Sequence, residues 1–186
     1  MVISGQIACK VTAENLVSAI NMKATTTPYT IRPIQPEDGR ALAELLQASP
    51  DTGRLAIAPN YQADPYVVLM SDGDSTGFVA IVDDDLCGMG LVKHKTCVVN
   101  GIERPCALLN SLVVHSAHRR QGIGKALAQK RIEYARAQQS AVVFLAGIQS
   151  GNDGSFAVVK DWQAEMIGPV KQCLVKVRLD EPAKKD

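Results

Sequence analysis

The chain has 186 residues, with a formal net charge of +1, 46% hydrophobic residues and 21% charged residues. This length and composition fit one globular domain with enough residues for a sizeable core. The near-zero charge argues against nucleic acid as the main partner, and no apolar run approaches the roughly 20 residues of a membrane-spanning helix. We therefore predict that the protein binds neither nucleic acid nor membrane, and that any basic site is local.

The five cysteines are odd in number and scattered, and none belongs to a C-x-x-C pair. This pattern supports neither a metal site nor a redox motif, so we predict that no metal is bound. Cys97 and Cys106 flank Asn100-Gly101, a typical two-residue hairpin turn. In such a hairpin Cys97 faces Arg104 and Cys106 faces Lys95, which leaves the two thiols diagonal and too far apart for a natural disulfide. Reduced thiols favour a cytoplasmic location.

The first 28 residues are expected to form an N-terminal extension, followed by a domain over residues 29–180 and a flexible tail over residues 181–186. Within the extension, the apolar spacing of residues 11–22 predicts an amphipathic helix. The threonine run before Pro28 predicts a linker.

The domain begins with a strand over residues 29–34. Pro36 and the two acids after it predict a helix start, and this helix should end near residues 49–50, where proline disfavours continuation. Asp64 before a proline predicts an N-cap and a short helix to Met70.

Three consecutive antiparallel strands are predicted next, over residues 76–82, 86–99 and 102–114. Glycines inside the second strand predict a bulge or the close approach of another backbone. Pro105 cannot donate to a ladder, so we expect a kink or bulge near it in the third strand.

Helical spacing continues over residues 122–138, where Arg131 interrupts the apolar side and is expected to lay its aliphatic stem along it. The apolar run 141–146 predicts a buried strand, parallel to the strand before the helix. A short helix from residue 152 and a last strand within residues 166–179 complete the predicted domain.

The sequence Arg119-Arg120-Gln121-Gly122-Ile123-Gly124 stands where the third antiparallel strand meets the helix. A glycine-rich turn at a helix N-terminus exposes N–H groups that lack intrahelical acceptors, and the helix dipole favours anions there. This predicts a phosphate site, although a merely basic strand-turn-helix connection has the same sequence features. The dinucleotide pattern G-x-G-x-x-G fails because residue 127 is leucine, and the P-loop pattern fails at residues 119 and 126.

The pattern R-x-x-G-x-G, with Leu112-Val113-Val114-His115 before it, resembles the coenzyme A site of the GNAT family of N-acetyltransferases. The predicted order of elements from residue 29 to about 179 resembles that fold as well. The resemblance implies an α/β protein of the α+β type. Its mixed, mostly antiparallel twisted sheet is flanked by helices and has a splayed parallel strand pair at the cofactor site.

The same resemblance implies a transferase that moves an acetyl group from acetyl-CoA to a primary amine, by direct attack in a ternary complex. The acceptor is a small molecule or a protein, and the enzyme is a monomer or a homodimer. Acetyl-CoA would be bound by the backbone of the third antiparallel strand, by the glycine turn after it, and by the short helix near residue 152. The implied residues are Leu112, Val113, Val114, Arg119, Arg120, Gln121, Gly122, Ile123, Gly124, Lys125, Asn152 and Ser155. Asn152 is also interpreted as a helix cap, and the two roles are compatible.

The catalytic residues are not identified by the resemblance. Many members carry a tyrosine in the helix after the parallel strand, but residues 155–160 contain none. The thiolate therefore leaves unassisted, or its proton comes from elsewhere. By analogy with the family, the backbone N–H near Val113 is a donor to the oxyanion.

Several groups remain open as the general base. They are Glu103, for which an exposed hairpin charge is the favoured interpretation, and a water held by Asn110 and Ser111. His115 and His118 titrate in the useful range, but a positional role is favoured for both.

Two other functions remain open from the sequence. The first is a catalytically silent acyl-CoA-binding or regulatory domain, and the second is a nucleotide- or phosphate-binding module in which ATP competes better than CoA. The loops expected to bind an acceptor, near residues 51–61 and 166–171, are mixed in charge and indicate no acceptor class.

Overall fold

A computed structural model describes residues 2–12, 28–50, 59–141, 143–160 and 165–173 of the chain. The described strands are β1 (Val2–Thr12), β2 (Thr30–Pro33), β3 (Ser75–Val82), β4 (Asp85–Val99), β5 (Ile102–Val114), β6 (Val143–Gln149) and β7 (Glu165–Cys173). The described α-helices are α1 (Gly39–Ala48), α2 (Pro65–Met70), α3 (Ile123–Gln139) and α4 (Asp153–Lys160).

These strands form one mixed sheet in the order β2-β3-β4-β5-β6-β1-β7. All neighbouring strands are antiparallel except β5 and β6, which are parallel. The predicted fold class and the parallel relation across α3 are therefore confirmed. A parallel pair needs a crossover connection, and α3 supplies it.

The structure places residues 2–12 differently from the expected extension. They form β1, which lies inside the sheet between β6 and β7 and is antiparallel to both. The composition of this segment favours a strand, because it contains the β-branched residues Val2, Ile3, Ile7, Val11 and Thr12. The helix predicted over residues 11–22 is contradicted at its first two residues, and the rest of it lies outside the described residues.

The β4–β5 hairpin has the predicted register, with Val99 opposite Ile102 and Cys97 opposite Arg104. Asn100 and Gly101 have φ angles of 52° and 77°, as a type I′ turn requires. The bulge expected near Pro105 is not there, because Thr96 and Pro105 pair without a register shift. Hydrogen-bonded and non-hydrogen-bonded pairs alternate along an antiparallel ladder. Counted from the hydrogen-bonded pair of Val99 and Ile102, the pair of Thr96 and Pro105 is a non-hydrogen-bonded one. Proline, which has no N–H, therefore loses no hydrogen bond to β4 at this position.

Hydrophobic cores lie on both faces of the sheet, since the successive β4 residues Leu91 and Val92 belong to different cores. We call the first the α3-side core; its buried members include Phe78, Val92, Ala107, Leu109, Ile123, Leu127, Ile132 and Phe144. We call the second the α1-side core; its buried members are Ile34, Leu42, Leu45, Leu46, Val79, Met89 and Leu91.

Local polar contacts fix the first two helices. The carboxylate of Asp64 accepts hydrogen bonds from the backbone N–H groups of Tyr66 and Val67, which confirms the predicted cap of α2. Before α1, the buried carboxylate of Asp38 makes a two-pronged ion pair with Arg32, with both N–O distances at 2.7 Å. The neighbouring guanidinium lowers the pKa of Asp38, because it stabilises the ionised carboxylate.

Candidate functional site

Strands β5 and β6 stay paired only over part of their length. Their ladder runs from Cys106 opposite Val143 to Leu109 opposite Ala146 and then stops. Beyond that point β6 continues beside β1, while β5 continues beside β4 to Val114. The two strands therefore leave a wedge with unpaired backbone on its β5 side.

The divergence begins at a bulge in β5. Asn110 pairs with Leu91 and Val113 pairs with Met89, so two β5 residues stand opposite the single residue Gly90. Ser111, the first of the two, has a φ angle of 49°, in the left-handed region. The bulge lies six and seven residues after Pro105, where one was expected, and opposite Gly90, one of the β4 glycines that were also expected to mark a bulge.

The bulge decides which backbone groups face the wedge. His115 donates its N–H to the carbonyl oxygen of Cys87 at 2.8 Å, so by the alternation of an antiparallel ladder Val113 also bonds toward β4. Leu112 and Val114 then direct their N–H and C=O groups away from β4, toward the wedge. The side-chain directions support this alternation. The side chains of Leu112 and Val114 pack on the α3-side core, and that of Val113 packs on the α1-side core.

The glycine turn follows β5 through a short 3-10 turn. Gly122 is the N-cap of α3 and has a φ of 84°, a conformation that residues with a Cβ rarely adopt. The first helical bond, from the N–H of Ala126 to the carbonyl of Gly122, leaves the preceding N–H groups at the open helix end. Among the described residues, no backbone acceptor is found for the N–H groups of residues 121–124.

The basic residues of the turn have different surroundings. The Nε of Arg119 donates to the carbonyl oxygen of Val114 at 3.0 Å, so this side chain braces the end of β5. Arg120 is exposed and has a φ of 66°, and Lys125 lies in the first turn of α3. These positions surround the open helix end with positive charge.

Tyr29, which no sequence motif marks, also lies at this site. A Cβ built on Gly122 would lie 4.0 Å from the Tyr29 hydroxyl, and the tyrosine ring packs on the α3-side core. The two residues are more than 90 positions apart in the chain, and nothing in the local sequence pattern links them.

Asn152 caps α4, as one of its two predicted roles requires. Its Oδ1 accepts a hydrogen bond from the backbone N–H of Ser155 at 3.0 Å, and its carbonyl accepts from the N–H of Phe156. Both Asn152 and Ser155 are partly exposed, just after the end of β6.

On the α1 side of the sheet, where the Val113 side chain packs, there are also polar side chains. Asn110 faces the α1 side because it lies opposite Leu91. Its Oδ1 is buried and has no hydrogen-bond partner among the described residues. Tyr61 and Tyr66 pack on the same α1-side core, and burial raises the pKa of the Tyr61 phenol.

The other titratable groups considered from the sequence lie elsewhere or have structural contacts. Glu103 is exposed near the tip of the hairpin, ten residues before Val113. The Nδ1 of His115 accepts from the N–H of Ala117, which fits the positional role favoured for this histidine. Burial and the Cys97 thiol raise the pKa of Cys106 to about 12, so it stays a thiol and is a poor nucleophile.

The site fits acetyl-CoA in three respects. Open N–H groups at a helix N-terminus suit a pyrophosphate, the wedge offers β5 backbone for pairing with an extended amide-containing arm, and the absence of a Cβ at Gly122 leaves room for close approach. In the described ranges no group of three His, Cys, Asp or Glu side chains is placed to hold a metal ion. No described helix is long and apolar enough to cross a membrane.

Comparisons with known proteins agree with this architecture. The sequence model of the acetyltransferase (GNAT) family matches residues 40–160. Three solved structures illustrate the likeness of fold. A transcriptional regulator from Bacillus halodurans C-125 has a TM-score of 0.60 and 18% identity, over 82% of this chain and 100% of that chain.

An aminoglycoside acetyltransferase, meta-AAC0020 from an uncultured soil metagenomic sample, has a TM-score of 0.59 and 15% identity, over 81% of this chain and 97% of that chain. A ribosomal-protein-alanine N-acetyltransferase from Brucella melitensis biovar Abortus 2308 has a TM-score of 0.53 and 22% identity, over 70% of this chain and 87% of that chain. At these identities the likeness concerns the fold alone. No curated protein matches the chain significantly in sequence.

Proposed function

The chain belongs to the acetyltransferase (GNAT) family, and we propose that it transfers an acetyl group from acetyl-CoA to a primary amine. The observation that carries this proposal is the wedge beside β5, which ends at the open N-terminus of α3. One continuous stretch of backbone can therefore meet both the pantetheine arm and the pyrophosphate of a single ligand.

In this proposal the N–H groups of residues 121–124 bind the pyrophosphate, with Arg120 and Lys125 as flanking cations. Arg119 supports them indirectly, because its guanidinium holds the end of β5. The N–H groups of Leu112 and Val114 bind the pantetheine amides and the thioester oxygen, since these groups face the wedge. Val113 contributes its side chain, which closes the acceptor face.

Asn152 and Ser155 would contact acetyl-CoA from the start of α4. The cap made by Asn152 fixes the direction of this helix and leaves both side chains at its N-terminal end. This arrangement supports the proposal that the cap and the cofactor contact coexist.

In the proposed reaction, the amine attacks the thioester directly and no covalent enzyme intermediate forms. A neutral amine nitrogen attacks the thioester carbon, the C–N bond forms, and the C–S bond breaks. The amine loses one proton and the departing thiolate accepts one. Chain N–H groups in the wedge stabilise the charge that develops on the carbonyl oxygen.

On the acceptor side, we assign Asn110 to hold the amine or the water that takes its proton. Its buried Oδ1 faces the α1 side and can accept a hydrogen bond there. We assign Tyr61, which packs on the same core, as a hydrogen-bond donor on this face; burial raises its pKa, so the phenol stays protonated.

A second function is favoured by one observation. No residue of α4 carries a phenol, and no described carboxylate lies beside Asn110 in an ion pair or hydrogen bond. A catalytically silent domain that binds acyl-CoA would need only the cofactor half of the site.

Release of CoA thiol with a panel of small amines and peptide N-termini tests the choice. The enzyme predicts release above the rate of acetyl-CoA hydrolysis for at least one amine. Tight acetyl-CoA binding with no release for any amine would favour the silent domain. Stronger competition by ATP than by CoA would instead favour a nucleotide-binding module.

The remaining assignments are also proposals. We propose a cytoplasmic protein that acts as a monomer or a homodimer, with its transferase domain over residues 29–180 and a tail over residues 181–186. The strand β1 adds to this domain from the N-terminal 28 residues.

A further inference from the structure

A buried arginine lies under the β5 bulge. Arg131 projects from the apolar side of α3 and is only 2% exposed. Its Nη1 donates to the carbonyl oxygens of Leu91 and Asn110, at 2.9 Å each. These two residues form the last register pair before the bulge, one on each strand. The guanidinium therefore joins the two strands at the point where their register changes.

The strand opposite the bulge is adapted to this side chain. A Cβ on Gly90 would lie 3.0 Å from both Cδ and Nε of Arg131. Gly90 is also the single β4 residue that faces the two bulged residues of β5. The glycine thus leaves room for the aliphatic stem of Arg131, which was expected to lie along the apolar side of α3, and lets the guanidinium reach the strand carbonyls.

Stability alone does not explain a cation at this position. Desolvation lowers the pKa of Arg131 to about 10, and no other cause shifts it. Its Nε is buried and has no hydrogen-bond partner among the described residues. The flanking positions on this side of α3 are apolar, and replacing a buried charge by an apolar residue of similar volume is often neutral or stabilising.

We propose that Arg131 is a positioning residue that fixes the bulge and thereby selects the β5 groups that face acetyl-CoA. A bulge inserts one residue into the strand and shifts its alternation by one. Beyond the bulge, the residues whose N–H and C=O groups would have faced one neighbouring strand therefore face the opposite edge. With the bulge, Leu112 and Val114 face the wedge. Without it, Ser111 and Val113 would face the wedge instead. This proposal rests on the proposed function, because it assigns the role of those groups in acetyl-CoA binding.

Two ligands separate this role from a general effect on the site. CoA spans the wedge and the glycine turn, whereas adenosine 3′-phosphate 5′-diphosphate keeps the pyrophosphate and lacks pantetheine. For Arg131→Met we expect the Kd of CoA to rise by about tenfold, the equivalent of one or two ordinary hydrogen bonds. The Kd of the fragment and the melting temperature should stay unchanged, or the melting temperature should rise. Arg131→Lys keeps a donor and should recover part of the CoA affinity.

Lys130→Met is the matched control, since Lys130 is an exposed cation on the same helix. It should leave both dissociation constants unchanged. Equal weakening of CoA and fragment by Arg131→Met, or no weakening of either, would overturn the proposal.

Amide hydrogen exchange tests the bulge without any ligand. In the native protein, the Val113 amide should be protected and the Leu112 amide should exchange fast; Arg131→Met should reduce this contrast or invert it. An unchanged pattern would contradict the proposal. If the native protein binds no CoA, the proposed function fails, and the exchange pattern still decides the role of Arg131.

Discussion

The two sides of β5 differ in the kind of polar group that they present, backbone N–H groups on one side and side chains on the other. On the cofactor side, the groups assigned to acetyl-CoA are mostly backbone N–H groups from one continuous stretch, residues 112–124. On the side proposed for the acceptor, the polar groups are side chains from separate parts of the chain, such as Asn110 and Tyr61, which lie on the same face of the sheet. Backbone recognition needs a particular chain conformation, and a short motif can specify it. Side-chain recognition depends on tertiary packing and leaves no motif.

The largest effect should come from a change of backbone conformation on the cofactor side. Gly122→Val places a β-branched residue at a φ of 84°, which should displace the turn and its N–H groups. Loss of two charge-assisted hydrogen bonds predicts a rise of about a hundredfold in the Kd of acetyl-CoA, measured by calorimetry.

Gly101→Val is the control for backbone strain alone. Gly101 has a φ of 77° in the hairpin turn, and no atom lies within 4 Å of a Cβ built there. It should lose comparable stability and keep its affinity for acetyl-CoA. Equal losses of affinity for acetyl-CoA in the two variants would mean that the glycine turn affects binding only through the stability of the fold.

On the acceptor side, Asn110→Ala should leave the Kd of acetyl-CoA unchanged and lower kcat by about tenfold, as expected for one lost hydrogen bond in the transition state. Steady-state kinetics with a saturating amine measure this. Asn100→Gly, in the exposed hairpin turn, should change neither constant. A rise in Kd with an unchanged kcat would move Asn110 to the cofactor side.

A smaller change is expected from Tyr29→Phe, which removes the hydroxyl near the glycine turn. If this hydroxyl donates one neutral hydrogen bond to acetyl-CoA, its loss should raise the Kd by about threefold and leave kcat unchanged. The control is Tyr134→Phe, whose hydroxyl lies near Thr76, at the other end of α3. If both variants bind acetyl-CoA as the native protein does, Tyr29 has no part in the site.

Asp38→Asn should affect neither side of β5. Its ion pair with the partly exposed Arg32 is screened by solvent, so we expect a loss of about 1 kcal/mol in the free energy of unfolding. The folded state lowers the pKa of Asp38, so this contribution is present above about pH 4 and is lost as pH falls through the lowered pKa. Chemical denaturation of both proteins at pH 7 and pH 3 should show a smaller difference at pH 3 than at pH 7.

Local signals in the sequence predicted much of the structure on the side proposed for the cofactor. The Asn100-Gly101 turn fixed the register of the long hairpin, and the glycines after β5 marked the N-terminus of α3. Both signals act over a few residues, because turn geometry and helix capping are set by neighbouring backbone.

Features that depend on distant partners were predicted less completely. β1 pairs with β6 and β7, more than 130 residues away, and no local signal in the sequence points to these partners. The bulge lies where Arg131 contacts β4 and β5 and not at Pro105, although the glycines of β4 were also expected to mark a bulge and Gly90 lies opposite it. Asn110 and Tyr61 likewise become neighbours of one core only in the folded chain.

The most direct test of the account is a crystal structure with acetyl-CoA bound. We expect the pantetheine arm along β5, within hydrogen-bond distance of the N–H groups of Leu112 and Val114, and the pyrophosphate on the N–H groups of residues 121–124. Pantetheine bound to the N–H of Val113, or acetyl-CoA bound away from the wedge, would contradict the account.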